Sequence, residues 1–273
     1  MRLQQVAAAA GWAWVRQGWR VFARQPLGFS GLFAVFLFAA FALTQLPLVG
    51  PLLLLALLPL GSMGFMIGTR EVLQGRLPLP RVFVDPLRQG PARLRAMIVL
   101  GVVYAIGSVL IINLAEWADG GALERLMELV ADGKSSPADV AERAGDPRLM
   151  LGLLIRFGLA GLLSVPFWHA PALVHWGGQG AAQSLFSSTL AIWRNKGAFL
   201  AFALGWTGLV LGAGLAVNLA GALLGQAPLI AVLAMPASLL LSTVFYASLY
   251  FTFADCFAAR TPSADPPSAE STP

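Results

Sequence analysis

Residues 25–69 read QPLGFSGLFAVFLFAAFALTQLPLVGPLLLLALLPLGSMGFMIGT, 45 residues without a charge between Arg24 and Arg70. A membrane span takes about 20 apolar residues, so the stretch holds two spans and a turn. Proline and glycine place the turn at Leu46-Pro47-Leu48-Val49-Gly50-Pro51, where a helix break costs least. The spans then fall near 29–45 and 52–69. The same reading extends outward. Twenty uncharged residues between Arg95 and Glu116 make a third span, 96–115. Thirty-seven between Arg156 and Arg194 hold a fourth, 155–176, followed by a polar stretch. The 58 residues from Gly197 to Ala254 hold two more, 198–224 and 229–253, hinged at Gly225-Gln226-Ala227-Pro228.

Composition agrees. Of 273 residues 58% are hydrophobic and 11% charged, against roughly 25% charged in a soluble domain. A soluble enzyme could not coat its surface with so few charges, and a single cysteine excludes a disulfide scaffold. The chain reads as an all-α polytopic membrane bundle of six transmembrane helices with cytoplasmic interfacial helices. Thirteen basic residues lie on one side of a six-span arrangement. The opposite side has two uncharged turns and an outer loop, 116–148, with eight acids and four bases. By the positive-inside rule both termini are cytoplasmic.

Residues 1–27 read as an uncleaved interfacial helix outside the membrane domain, 28–258. Trp12, Val15, Trp19 and Phe22 recur at helical spacing, and Arg16, Arg20 and Arg24 repeat on the opposite face. A second arm carries Arg194 and Lys196 before the fifth span, and a looser one, Leu87–Pro91, precedes the third. Three arm-plus-hairpin units in parallel are suggested. These five cations are the expected contacts for anionic lipid; nucleic acid is not expected as a partner. In the outer loop, Leu123, Leu126, Met127 and Val130 predict one short helix, stopped at Gly133. Ser136-Pro137 with Asp139 and Glu142 predicts the start of another. Residues 259–273 lack apolar periodicity and read as a disordered cytoplasmic tail.

Few side chains suggest chemistry. Arg156 is the one charge that can fall within a span, either pairing with Glu116 or Asn113 or serving as an interface anchor. The fourth span ends in Val165-Pro166-Phe167-Trp168-His169-Ala170-Pro171, whose prolines break the helix and place it in the bundle or beside a wet cavity. Arg156, Asn113, Asn218, Pro166, Trp168 and Pro171 are therefore the candidate pathway residues. His169 and His175, six apart, cannot chelate one metal as an i, i+4 pair, and read as interface histidines. Neither sits at i+3 or i+4 from Ser164, so no catalytic dyad is drawn. Cys256 reads as an inert thiol. No catalytic, cofactor or metal residues are assigned. Gly64-x-x-x-Gly68, Gly208-x-x-x-Gly212 and Gly221-x-x-x-Gly225 read as helix contacts.

The stretch Phe167-Trp168-His169-Ala170-Pro171-Ala172-Leu173-Val174, then Ser184, Ser187-Ser188, Trp193-Arg194-Asn195 and Ala198-Phe199-Leu200, resembles a family of uncharacterised proteobacterial six-span inner-membrane proteins. Leu60–Met66 and Arg70–Arg76 fit the same family, and the likeness runs over most of residues 10–258. It implies a location in a bacterial inner membrane and a six-span fold, with no established activity and no role for His169. The leading expectation is a non-enzymatic membrane protein that organises lipid or a membrane protein partner. A small-molecule transporter or channel using the broken fourth span is the alternative, and an intramembrane enzyme the third reading.

Overall fold

The computed structural model describes residues 2–132, 136–225 and 227–258. These contain eleven α-helices: α1 Ala10–Arg24, α2 Pro26–Thr44, α3 Val49–Leu73, α4 Pro91–Asp119, α5 Ala122–Ala131, α6 Pro137–Ala144, α7 Pro147–Phe167, α8 Ala170–His175, α9 Ala181–Arg194, α10 Lys196–Leu223 and α11 Ala227–Cys256. Six helical segments are long and apolar enough to cross a membrane: α2, α3, α4, α7 with α8, α10 and the part of α11 from Val232 onward. The fold is an all-α polytopic bundle, joined by one short antiparallel pair, β1 Arg2–Leu3 with β2 Phe257–Ala258. That pairing puts the first and last described segments on one face. Gly133 and the tail from residue 259 lie outside the described residues.

Helix ends differ from the charge gaps for a physical reason. Charge disappears only at hydrocarbon depth, whereas a helix continues through the interface until a cap or proline stops it. Thus α4 begins at Pro91, after Gly90 at φ 97°, and α7 begins at Pro147, after Asp146, whose carboxylate accepts from the Arg148 amide at 2.8 Å. Arg156 is consequently nine residues inside α7, about 14 Å along its axis.

The bundle is built around α3. Half of its most apolar window is buried, against 11–28% for the other spans, whose outward faces carry exposed leucines such as Leu154 and Leu215. Its core is aromatic: Phe65 stacks on Tyr246 at 4.7 Å, with Phe36 and Phe83 edge-on to Phe65 at 5.8 and 5.4 Å. Phe83 comes from a 3-10 turn, Pro80–Phe83, and its ring fills the space a side chain would need at Gly64. Gly68 meets Leu32 in the same way, so this glycine pair is a packing surface. Gly208 and Gly212 are not. Neither has a neighbour that an added Cβ would touch, so the face of α10 that carries them is open.

The first arm also departs from expectation. It is amphipathic, with Arg16, Arg20 and Arg24 exposed. Yet its buried stripe is Gly11, Trp14, Val15, Gly18 and Val21, and Trp12 is exposed. Two glycines let the backbone close onto neighbouring helices. A Cβ on Gly11 would come within 2.6 Å of the Phe202 amide nitrogen of α10, and one on Gly18 within 2.7 Å of Ser248 Cβ on α11. α1 therefore docks beneath spans five and six, and Trp14 is wholly buried there. Of the other arms, α9 is a full helix, while the middle one is a pair of 3-10 turns, Pro80–Phe83 and Asp85–Arg88.

On the far face, Asp119 ends α4 and starts α5. Its buried carboxylate accepts from the amides of Gly121 at 2.7 Å and Ala122 at 3.2 Å across two left-handed glycines. Ser136 and Asp139 form a reciprocal capping box on α6. The Ser136 hydroxyl and amide hold the Asp139 carboxyl below the usual carboxylate range.

Candidate functional site

Span four breaks where its prolines require. Pro166 cannot donate and crowds the turn before it, so α7 stops at Phe167; Pro171 sits in the first turn of α8, where a missing amide proton is harmless. In an unbroken helix the His169 amide would donate to the Val165 carbonyl. Here the Ser188 hydroxyl of α9 is inserted between them. His169 N donates to Ser188 Oγ at 3.0 Å, and Ser188 Oγ donates to Val165 O at 3.0 Å. Both groups freed by the break are thus satisfied within the protein, as membrane depth demands.

Thr252 of α11 holds the side chains of the break. Its hydroxyl donates to the Leu249 carbonyl at 2.8 Å, accepts from Trp168 Nε1 at 3.1 Å and lies 3.1 Å from His169 Nε2. One hydroxyl has one proton, already given to Leu249, so the proton between Thr252 and His169 belongs to Nε2. His169 is fully buried, with rings of Phe199, Phe253 and Phe257 at 5.7, 5.9 and 5.4 Å. It is a core residue, not an interface histidine. His175 is also buried, beside Gln89 in a separate neighbourhood.

Next to this break, Asn195 ties three elements together. Its Oδ1 accepts from the Val6 amide at 2.8 Å, while Nδ2 donates to the carbonyls of Gln4 and Ala191, both at 3.0 Å, and lies 3.5 Å from Cys256 Sγ. Trp14 Nε1 donates to Asp255 Oδ2 at 2.7 Å. Arg194 and Lys196 on either side of Asn195 are exposed, with Lys196 Nζ 5.6 Å over the Trp193 ring.

Pro166, Trp168 and Pro171 are brought together by the break. The other candidate pathway residues are not part of it. Asn113 and Asn218 are exposed, and each amide turns back onto its own helix, to Val109 O and Gly214 O, both at 2.8 Å. Arg156 is half-buried with its Nε unpartnered, and no ion pair joins it to Glu116 among the described residues. Ser164 donates to Gly161 of its own helix. Asn218 instead lines a lateral cleft of about 760 Å³ between α10 and α11, together with Trp206, Gly214, Ala237, Phe245 and Tyr246. Thr252 carried no signal in the sequence, since a threonine in a span is ordinary. Ser188 and Asn195 were conspicuous only as part of the arm pattern.

A probable inner membrane protein of Burkholderia thailandensis is 32% identical over 265 residues, which cover 97% of either chain. The chain belongs to this family. It is a multi-pass inner-membrane protein. The shared length includes the broken fourth span, the α9 arm and α1, so the likeness is one of whole molecules and not of a module. No family model matches the chain, and neither does any solved structure.

Proposed function

We propose that the protein organises lipid in the inner membrane without catalysing a reaction, seating an acyl chain in the cleft between α10 and α11. The cleft carries this reading. Its walls are residues 206–218 and 230–246 of two spans, so it opens at the depth of the hydrocarbon. Asn218 and Ser238, two of its polar groups, are already bonded to their own helices. What the walls offer is apolar surface, and what surrounds them is lipid. The break in span four, whose freed amide and carbonyl are both bonded to Ser188, and the exposed Asn113, bonded to its own helix, favour this reading over a transport path. Both termini are assigned to the cytoplasm on the charge partition. There the exposed Arg16, Arg20, Arg24, Arg194 and Lys196 attract anionic headgroups.

Native mass spectrometry after purification in mild detergent tests the cleft. The wild-type protein should retain phospholipid. Gly214→Trp with Ala237→Phe, which fills the cleft from positions on its wall, should lose it while melting as wild type does. Equal retention by the variant defeats the reading, and co-purification of a protein in place of lipid would favour a partner-organising role. Orientation is checked with reporter fusions: after Ala131 they should read periplasmic, and after Arg88 cytoplasmic.

A further inference from the structure

Where α3 ends and α8 gives way to the next loop, on the face that carries α1, a second cavity of about 570 Å³ opens against Arg70, Glu71, Arg76, Asp85, Arg88 and His175. One of its two acids is already neutralised: Arg76 donates to Glu71 through Nε at 2.7 Å and Nη2 at 2.8 Å. Arg70 lies 5.6 Å over the Trp176 ring, a stacking that leaves its in-plane N–H groups available. Neither Arg70 nor Arg88 has an ion-pair partner among the described residues, which leaves two guanidinium groups facing the one carboxylate of Asp85.

His175 adds an independent observation. It is 7% exposed and lines the cavity. Arg93 Nη1 donates to Gln89 Oε1 at 3.0 Å, which turns the Gln89 amide nitrogen toward His175 Nε2 at 3.3 Å. An amide nitrogen only donates, so Nε2 accepts and the imidazole proton sits on Nδ1. That Nδ1 is buried and has no hydrogen-bond partner. With Nε2 held by Gln89, His175 offers the cavity no acceptor, and the two unpaired guanidinium groups are donors lacking an anion.

We propose that this cavity binds a phosphate group, with Arg70 and Arg88 donating to its oxygens. Two guanidinium groups from two elements can each donate to more than one oxygen of a tetrahedral oxyanion. The volume exceeds that of a bare anion, leaving room for the group that carries the phosphate. The carrier is a lipid headgroup or a soluble phosphate compound, since the cavity sits at the level of the headgroups. The site is separate from the cleft between α10 and α11, so either assignment can fail alone.

The test uses the full chain in mild detergent, titrated with short-chain phosphatidylglycerol, with diacylglycerol of the same chains, and with inorganic phosphate. Arg70→Gln with Arg88→Gln should weaken binding of the phosphate-bearing probe about tenfold or more, the least that one charge-assisted hydrogen bond supplies. Arg194→Gln with Lys196→Gln, which removes the same charge elsewhere on that face, should change it less than about twofold. If the double variant does not fold, Arg88→Gln alone, exposed on its 3-10 turn, removes one of the same donors. Phosphatidylglycerol binding that inorganic phosphate does not displace identifies a headgroup; displacement by millimolar phosphate identifies a soluble ligand. The proposal is overturned if neither phosphate-bearing probe binds, if diacylglycerol binds as well as phosphatidylglycerol, or if both charge variants weaken binding equally. If the cleft variant, Gly214→Trp with Ala237→Phe, loses lipid binding while Arg88→Gln binds as wild type does, the lipid lies in the cleft alone and the proposal is also overturned.

Discussion

Trp14→Ala should destabilise the protein by about 3–5 kcal/mol, the range for removing a fully buried large aromatic side chain. The loss has two separable parts. The indole packs on Phe199 at 5.3 Å and Phe202 at 6.0 Å, and its nitrogen donates to the Asp255 carboxylate at 2.7 Å. Trp14→Phe keeps most of the packing and removes only the hydrogen bond, about 1.5–3 kcal/mol for a charged acceptor. Thermal melting in detergent should therefore rank wild type above Phe and Phe above Ala. An Ala variant that melts with wild type would mean that α1 is not docked on the bundle.

Ser188→Ala should be nearly as costly. It removes the hydroxyl between the His169 amide and the Val165 carbonyl, leaving each without a partner at about 1–3 kcal/mol apiece. Thr189→Ala, one residue on, is the control. Its exposed hydroxyl serves only the Leu185 carbonyl of its own helix, and its loss should stay within about 0.5 kcal/mol. Unchanged melting of Ser188→Ala would mean that span four recloses directly, with the His169 amide bonded to the Val165 carbonyl.

The spans were legible because hydrocarbon excludes charge, and a gap between arginines is a one-dimensional image of that exclusion. What the gaps do not record is which side of a helix meets protein. Hydrophobicity pointed to Trp12 on α1, but close approach is decided by Gly11 and Gly18, whose value lies in what they lack. The same argument misled at Gly208 and Gly212, where small residues border open space. A span is apolar on every side, so its periodicity is nearly silent about orientation. The candidate pathway residues suffered for a related reason. Asn113 and Asn218 are polar in the sequence, but each satisfies its amide within its own helix and needs no cavity. Proline, by contrast, acts through the backbone, and the break it predicted in span four is present. The polar pocket was hidden because its arginines are spread from 70 to 88 and meet His175 only through the fold.

The bond between Trp14 and Asp255 spans 241 positions, and Gln4 and Val6 reach Asn195 across 191 and 189. α1 thus docks on α10 and α11, which leave the ribosome well after it. Until α10 and α11 are made, Trp14 and Val15 lack the helices they pack against, and the membrane surface is an apolar refuge within reach. The docking of α1 therefore waits for the sixth span, and a chain stalled before it carries α1 undocked. Such an unfinished copy has its Trp14 indole against lipid, where the completed protein has it buried.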